Sequence, residues 1–179
     1  MNNLIEISRK EDIPAQYQGT PIGDLLEYHN LGRKYETYTN AQLLIGMCMD
    51  NRKHLKIPDN FAFIIRSAGA NLRYAEFKVS YALAIGNLRH IAIIGHNNCG
   101  MVGLEDRKEL FIQGLISAGW SREHAVEHFE EHAPKWEIGN EIDFAVSEAV
   151  RLRKTYPKIT AAPMHYKVEN NKIYLIEEG

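Results

Sequence analysis

The stretch that decides the fold of this chain is "IAIIGHNNCG", residues 91–100. An apolar run of strand length ends at a glycine, and His96 and Cys99 follow three positions apart. The chain has one other cysteine, Cys48, which ends a second apolar run, "AQLLIGMC". Ligands of open α/β sheets bind at the carboxyl ends of the strands. We therefore expect the two cysteines and the histidine to converge at that edge of a sheet.

Apolar runs alternate with helical patterns around this stretch. Strands are predicted at 41–50, 61–69 and 90–96, and two more flank an Asn-Asn turn near the end of the chain; helices are predicted at 20–37, 74–90, 121–133 and 141–156. Strands that are apolar throughout and alternate with helices indicate a parallel sheet covered on both faces. The expected fold is a single α/β domain, 1–179, with a mainly parallel β-sheet flanked by helices. Residues 1–40 would form an N-terminal arm and helix, and 41–179 the core.

The amino-acid composition limits the partners and the cellular compartment that are expected for this chain. The chain has 179 residues, 45% of them hydrophobic, and a net charge of -2, so neither nucleic acid nor a membrane is expected as a partner. "MNNLIEISRKED" lacks the apolar segment of a signal peptide. Two cysteines far apart in sequence make no disulfide framework. The expectation is a cytoplasmic protein that acts on a small molecule.

Cys48, His96 and Cys99 have the chemistry of a metal site. Two sulfurs and one imidazole are a preferred ligand set for Zn²⁺, and three protein ligands leave a fourth position open, as in catalytic zinc sites. The alternative is that both cysteines are inert buried thiols, since free cysteine is among the most buried residue types. The H-x-x-C pattern by itself leaves both interpretations open.

Asp50 and Arg52 add a second element to the candidate site. If the strand conformation persists beyond Cys48, all three side chains point to the same side. Arginine offers a two-pronged fork to a carboxylate, and an ionised Asp50 beside the metal can accept a proton from water. The alternative is a solvated ion pair in a turn.

Three sequence motifs, in their order along the chain, resemble those of a known family. "CMDNR", "IIRSAGA" and "GHNNCGMV" resemble the β-class carbonic anhydrases, which typically show C-x-D-x-R, R-N-A-G and G-H-x-x-C-G. The resemblance spans about residues 44–102, and the chain length and Met101-Val102 are most similar to the small prokaryotic branch. This chain departs from the family at Ser67, where asparagine is usual, and in "APMHYKVENN", which replaces a Gly-rich strand.

The resemblance implies a zinc lyase. One Zn²⁺ per chain would be held by Cys48, His96 and Cys99, with Asp50 and Arg52 as the catalytic pair, and zinc-bound hydroxide would hydrate CO₂ reversibly to bicarbonate. An alternative is a hydrolase of carbonyl sulfide or carbon disulfide on the same scaffold. A second alternative is a non-catalytic zinc protein. Members of the family also occur with the aspartate bound to zinc.

Further residues are assigned weaker roles. The small backbone at Ser67, Ala68 and Gly69 is expected to approach the substrate and offer N–H donors. His54 is a candidate proton shuttle, because an imidazole titrates in the needed range; otherwise it is a solvated loop histidine. Regenerating the zinc-bound hydroxide after each reaction requires a route by which a proton leaves the site.

His124, His128 and His132 recur every four residues in a predicted helix. That spacing places them on one face, where histidine pairs can bind a metal. Four glutamates share the segment, so we favour a solvated polar face over a second metal site. Ser121 is the expected N-cap of this helix, and Pro134 is expected to interrupt it.

The resemblance also implies a homodimer or a higher homo-oligomer. The N-terminal arm carries Leu4, Ile5, Ile7 and Ile13 outside any predicted βα unit. Such residues need a covering surface, either on their own domain or on a second subunit. We expect the second subunit to provide it.

Overall fold

Six β-strands form one sheet in the spatial order β1-β6-β5-β4-β2-β3. The computed structural model describes residues 2–179, and its strands are β1 (Asn3–Ile5), β2 (Leu43–Met47), β3 (Ala62–Arg66), β4 (His90–His96), β5 (Thr160–Lys167) and β6 (Lys172–Glu177). β2 pairs in parallel with β3 and β4, and β4 pairs in parallel with β5. β6 and β1 are antiparallel to their neighbours. The prediction of a mainly parallel sheet is confirmed.

Helices connect the strands and cover both faces of the sheet. They are α1 (Pro21–Leu31), α2 (Glu76–Ala84), α3 (Lys108–Ser117), α4 (Arg122–Trp136) and α5 (Glu141–Thr155). Side-chain oxygens of Thr20, Ser121 and Asn140 accept N–H bonds at the starts of α1, α4 and α5. α3 was not predicted from the sequence. None of the helices within residues 2–179 has both the length and the hydropathy needed to cross a membrane.

The prediction that Pro134 interrupts α4 is wrong. The helix continues through it to Trp136, and the N–H of Glu137 still bonds the carbonyl of Ala133 at 2.9 Å. A proline removes one N–H donor, and so close to the end of a helix only the last turn is affected. α4 therefore ends three residues beyond the point that its sequence pattern indicated.

Residues at alternating positions of the central strands pack into two separate hydrophobic cores. On β2, Leu43, Ile45 and Met47 pack into the first core with α1, while Leu44 packs into the second core with α2 and α5. This alternation is what a strand covered on both faces requires. A third, small cluster contains Cys48, Cys99 and their neighbours at the carboxyl end of the parallel strands.

The N-terminal arm packs on its own domain. β1 pairs with β6, and Ile7 and Ile13 lie fully buried in the first core, with Ile5 against them. Leu4 packs against the second core. The expectation that a second subunit covers these side chains is wrong, because the edge of β6 and the face of α1 already provide the surface. The arm therefore gives no support for a dimer.

Candidate metal centre

Cys48, His96 and Cys99 meet at the carboxyl end of the sheet. One ligand atom from each lies within 4.8 Å of the others, and all three side chains are buried. The two sulfurs are 4.0 Å apart, and both cysteines are free. Within residues 2–179 this is the one group of three or more such side chains able to hold a metal ion. The convergence expected from the two strand ends is present.

The register of the strands and one close contact between α5 and β4 position Cys48, His96 and Cys99. β2 and β4 are parallel neighbours, with Met47 opposite Ile94, so the residues that follow them emerge side by side. A Cβ on Gly95 would lie 2.9 Å from the carbonyl oxygen of Glu141, so glycine allows α5 to pack against the end of β4. Asn98 takes a left-handed conformation, φ 56°, which turns the chain from His96 to Cys99.

The hydrogen bonds of His96 leave one nitrogen available to a metal. Its Nδ1 lies 3.0 Å from the carbonyl oxygen of Asn97, and because a carbonyl only accepts, Nδ1 carries the proton. Nε2 therefore holds a lone pair. It is buried and has no hydrogen-bond partner among the described residues. A buried acceptor without a partner costs free energy, and a metal ion satisfies it.

The two thiols also fit a divalent cation. A bond from the Cys99 thiol lowers the pKa of Cys48 well below its ordinary value, helped by the N–H groups of Asp50 and Gly69. The bond to Cys48 and burial raise the pKa of Cys99 well above its ordinary value. Without a cation the pair therefore retains one proton. Two thiolates and one neutral imidazole are a donor set typical of Zn²⁺, which would offset both negative charges.

Asp50 and Arg52 form a two-pronged ion pair beside the ligands. Arg52 Nη2 donates to Asp50 Oδ2 at 2.6 Å, and Nε donates to Oδ1 at 3.0 Å. The bonds from Arg52 hold the pKa of the Asp50 carboxyl far below its ordinary value, so it is ionised at neutral pH. Asp50 Oδ2 lies 4.0 Å from His96 Nε2.

The pair forms for a different reason from the one expected. β2 ends at Met47, so no strand conformation carries Cys48, Asp50 and Arg52 to one side. Instead, Asp50 Oδ1 accepts the backbone N–H of Arg52 at 2.9 Å, which closes a local turn. Arg52 Nη2 also donates to the carbonyl of Asn98 at 3.0 Å and so connects this turn to the loop after β4.

Two groups near the ligands were missed in the sequence. Lys53 is completely buried and donates from Nζ to the carbonyl oxygen of Asp50 at 3.1 Å. Glu141, the first residue of α5, accepts the N–H of Cys99 at 3.1 Å. Lys53 follows the C-x-D-x-R motif directly, but no local pattern indicates that a lysine there is buried. Glu141 lies 42 positions from Cys99, so only the packing of α5 joins them.

The segment Ser67 to Gly69 lies next to the sulfurs, and its first N–H group already has an acceptor. Ser67 donates its N–H to the carbonyl of Met47 at 2.9 Å, and the N–H of Gly69 helps to lower the pKa of Cys48. The N–H of Ser67 is therefore not free for a substrate, and the expected role of the segment as a source of N–H donors stays a prediction. Gly69 has φ 63°, and a Cβ there would lie 2.8 Å from Ile138 Cγ2, so glycine is required. Ala68 lines a groove.

His54 is exposed and belongs to none of the contacts around the ligands. The structure thus brings Cys48, His96, Cys99, Asp50 and Arg52 together and leaves the side chain of His54 at the surface. A shuttle role for it stays a prediction.

An apolar groove of about 540 Å³ adjoins the metal centre. Ala68 and Met101 lie at its inner side, and Met101 also packs against the cluster of the two cysteines. The other apolar lining residues come from α3, α4 and the loop before α3: Leu104, Phe111, Phe129, Ala133 and Trp136. The groove is suited to an uncharged, weakly polar molecule.

The histidines of α4 lie partly in this groove. His128 and His132 line it, with ring centroids 4.5 Å apart, and His124 packs on Trp120 at 4.3 Å. The exposed His124 fits the expected polar face, but His128 and His132 are half-buried among aromatic rings. Within residues 2–179, the three histidines are not among the side chains grouped closely enough to hold a metal ion.

Solved structures share this fold. A β-carbonic anhydrase, isoform I, from Trichomonas vaginalis superposes with a TM-score of 0.64 at 18% identity, over 81% of this chain and 88% of that chain. A carbonic anhydrase from Glaciozyma antarctica gives 0.61 at 19% identity, over 91% and 99%. The chain has the β-carbonic anhydrase fold.

A carbon disulfide hydrolase in its apo form has the same fold as well. It superposes with a TM-score of 0.55 at 21% identity, over 75% of this chain and 77% of that chain. No family model and no curated protein matches the sequence. The β-carbonic anhydrase fold is therefore common to proteins with different substrates, and the reaction of this chain has to be argued from the chemistry of its site.

Proposed function

We propose that this chain is a β-class carbonic anhydrase, a zinc lyase that hydrates CO₂ reversibly to bicarbonate. One observation carries the proposal: the buried, unpartnered Nε2 of His96 faces two free cysteines, with an ionised Asp50 beside them. One Zn²⁺ per chain on Cys48, His96 and Cys99 completes the site. The small prokaryotic branch and a cytoplasmic location stay predictions from the sequence, and free cysteines fit a reducing compartment.

When bound, zinc supplies a Lewis acid that makes water acidic enough to react near neutral pH. Asp50 accepts a hydrogen bond from the reacting water and directs its free lone pair toward the carbon of CO₂. Arg52 keeps Asp50 ionised and aimed, through the two-pronged pair. Addition of H₂O to CO₂ gives HCO₃⁻ and one proton, which must leave to solvent before the next cycle.

A second candidate reaction is hydrolysis of carbonyl sulfide or carbon disulfide. The apolar groove beside Ala68 and Met101 favours it, because this groove suits any small uncharged molecule of that type. The fold is also that of a carbon disulfide hydrolase. We rank CO₂ first because the motifs around Cys48 and Cys99 resemble carbonic anhydrases.

The deciding experiment compares substrates on protein of measured zinc content. Hydration of CO₂ is followed by stopped-flow pH indicator, and release of sulfide from carbonyl sulfide and carbon disulfide is followed in parallel. We expect the highest kcat/KM with CO₂. A higher value with a sulfur substrate would replace the first candidate by the second. A zinc-loaded protein that turns over none of the three at pH 8.5 would indicate the non-catalytic zinc protein.

We also propose that the chain forms a homodimer through an apolar surface on β3 and α2. This surface, named the edge face, consists of the exposed side chains Phe63, Ile64, Phe77, Tyr81 and Ile85. β3 is the last strand of the sheet on that side, and a second copy can pair with such an edge about a two-fold axis. β3 also leads directly into Ser67 to Gly69, so a partner there would border the metal centre.

Phe77→Glu combined with Ile85→Glu is expected to convert the dimer into monomers. Phe77 is 82% exposed and Ile85 71%, so two charges are tolerated by the isolated chain but oppose burial between two chains. Light scattering at micromolar concentration measures the change. Leu110→Glu is the matched control, because Leu110 is 75% exposed but lies on α3. A wild-type protein that is monomeric and fully active would contradict the proposal.

A further inference from the structure

Lys53 is a buried cation that the proposed mechanism does not use. Its side chain is completely inaccessible, and lysine is almost never fully buried unless it is paired. Nζ donates to the main-chain carbonyl of Asp50 at 3.1 Å and lies 3.8 Å from Asp50 Oδ1. Both contacts are therefore to Asp50. Burial lowers the pKa of Lys53, while the negative groups at Cys48, Asp50 and Cys99 raise it.

Asp50 lies near enough to the ligands to compete for the metal. Its Oδ2 is 4.0 Å from His96 Nε2, the same separation as between the two sulfurs. Even so, Asp50 is not part of the group of ligand atoms that lie within 4.8 Å of one another. Its bonds to Arg52 and its contacts with Lys53 restrain the carboxylate in this position.

Arg52 restrains the Asp50 carboxylate through the two-pronged pair, but from a side that is partly open to water. Its side chain is 43% exposed, and an ion pair open to water on one side is screened and weakened. Lys53 Nζ lies 3.8 Å from Asp50 Oδ1 and belongs to a completely buried side chain, where a charge acts more strongly. It also binds the main chain of Asp50, so the carboxylate is restrained through both its backbone and its Oδ1.

We propose that Lys53 is a positioning residue that keeps Asp50 off the metal and so leaves the fourth coordination position open to water and substrate. The inference rests on the metal site proposed above. Lys53 touches neither the ligand atoms nor the groove, so it acts through Asp50. Without the Lys53 ammonium group, the main-chain carbonyl of Asp50 loses its hydrogen-bond donor. Asp50 Oδ1 also loses the buried positive charge beside it. The carboxylate then moves toward the metal and takes the open position.

The test measures access to the metal rather than turnover. Protein loaded with Co²⁺ in place of zinc is titrated with thiocyanate, and the visible absorption of the cobalt reports the binding. Lys53→Met is expected to weaken thiocyanate binding by about tenfold or more, the size of effect typical of residues that orient a metal site. Its affinity for the metal should be equal or higher, because a carboxylate ligand is gained. Lys56→Met, at an exposed lysine three positions later, should change neither.

A double variant distinguishes positioning of Asp50 from direct attraction of the anion by Lys53. If Asp50 blocks the metal in Lys53→Met, then Asp50→Asn combined with Lys53→Met should bind thiocyanate as Asp50→Asn does. A double variant that binds it tenfold more weakly than Asp50→Asn would show that the charge of Lys53 attracts the anion directly, and would overturn the proposal. Unchanged thiocyanate binding in Lys53→Met, or binding lost together with metal affinity, would also overturn it.

Lys53→Gln is the second variant, used if Lys53→Met does not fold, since the amide still donates to the Asp50 carbonyl but carries no charge. We then expect a smaller loss of thiocyanate affinity that Asp50→Asn again removes, and an unchanged affinity would overturn the proposal. A wild-type protein that binds neither Co²⁺ nor Zn²⁺ would refute the metal centre itself, which is a failure of the proposed function and is visible before any variant is made.

Discussion

Cys48→Ser, His96→Ala and Cys99→Ser should each yield a purified protein with little or no zinc and with CO₂ hydration at background. Three protein ligands are the minimum of a catalytic zinc site, and the loss of one leaves two donors in a buried space. The midpoint of thermal unfolding should also fall relative to the zinc-loaded wild type, because metal binding is coupled to folding. Zinc is measured by mass spectrometry on protein dialysed against a weak chelator.

His54→Ala is the matched control for these ligand variants. It removes an imidazole that is exposed and close in sequence to Asp50, and it should keep one zinc per chain. Full zinc occupancy in any of the three ligand variants would show that the substituted residue is not a zinc ligand. The same result in all three would show that the unpartnered Nε2 of His96 does not bind the metal.

Asp50→Asn is expected to keep its zinc and to lose most of its activity. The amide has the same shape, but it carries no charge and cannot form the ionic pair with Arg52. General acid–base roles typically contribute about 10²–10⁴-fold, so kcat/KM for CO₂ should fall by that factor. Stopped-flow assays at several pH values, on variant protein of measured zinc content, test this.

Asp59→Asn provides the control for a lost carboxylate. Asp59 is exposed in the loop before β3 and is expected to have no effect on kcat/KM. If Asp50→Asn also retained full activity, Asp50 would be excluded as the group that orients water. Lost activity together with lost zinc would instead make Asp50 a part of the metal site.

Most of the fold could be predicted from local sequence. The apolar runs that become β2, β3 and β4 lie in the parallel part of the sheet, and such strands differ in composition from everything around them. The predicted α5 matches Glu141–Thr155 because its apolar residues recur at helical spacing. β1 was missed because three residues carry too little periodicity, and α3 because exposed Leu110 and Phe111 obscure its pattern.

What the sequence by itself determined is the edge of the sheet at which Cys48, His96 and Cys99 meet. Cys48 and His96 end apolar runs that alternate with helical patterns, which predicts parallel strands, and parallel strands bring their carboxyl ends together. The acidic and basic partners, Asp50 and Arg52, are neighbours in sequence and pair through a local turn, which requires no information from the rest of the chain.

Only the tertiary structure decided which groups surround these residues. The buried Lys53, the contact of Glu141 with Cys99, and the groove beside Ala68 arise when α4, α5 and the turn after β2 pack together. The N-terminal arm is covered by its own chain for the same reason. Burial and contacts between distant residues depend on the whole packing arrangement, and no spacing along the chain encodes them.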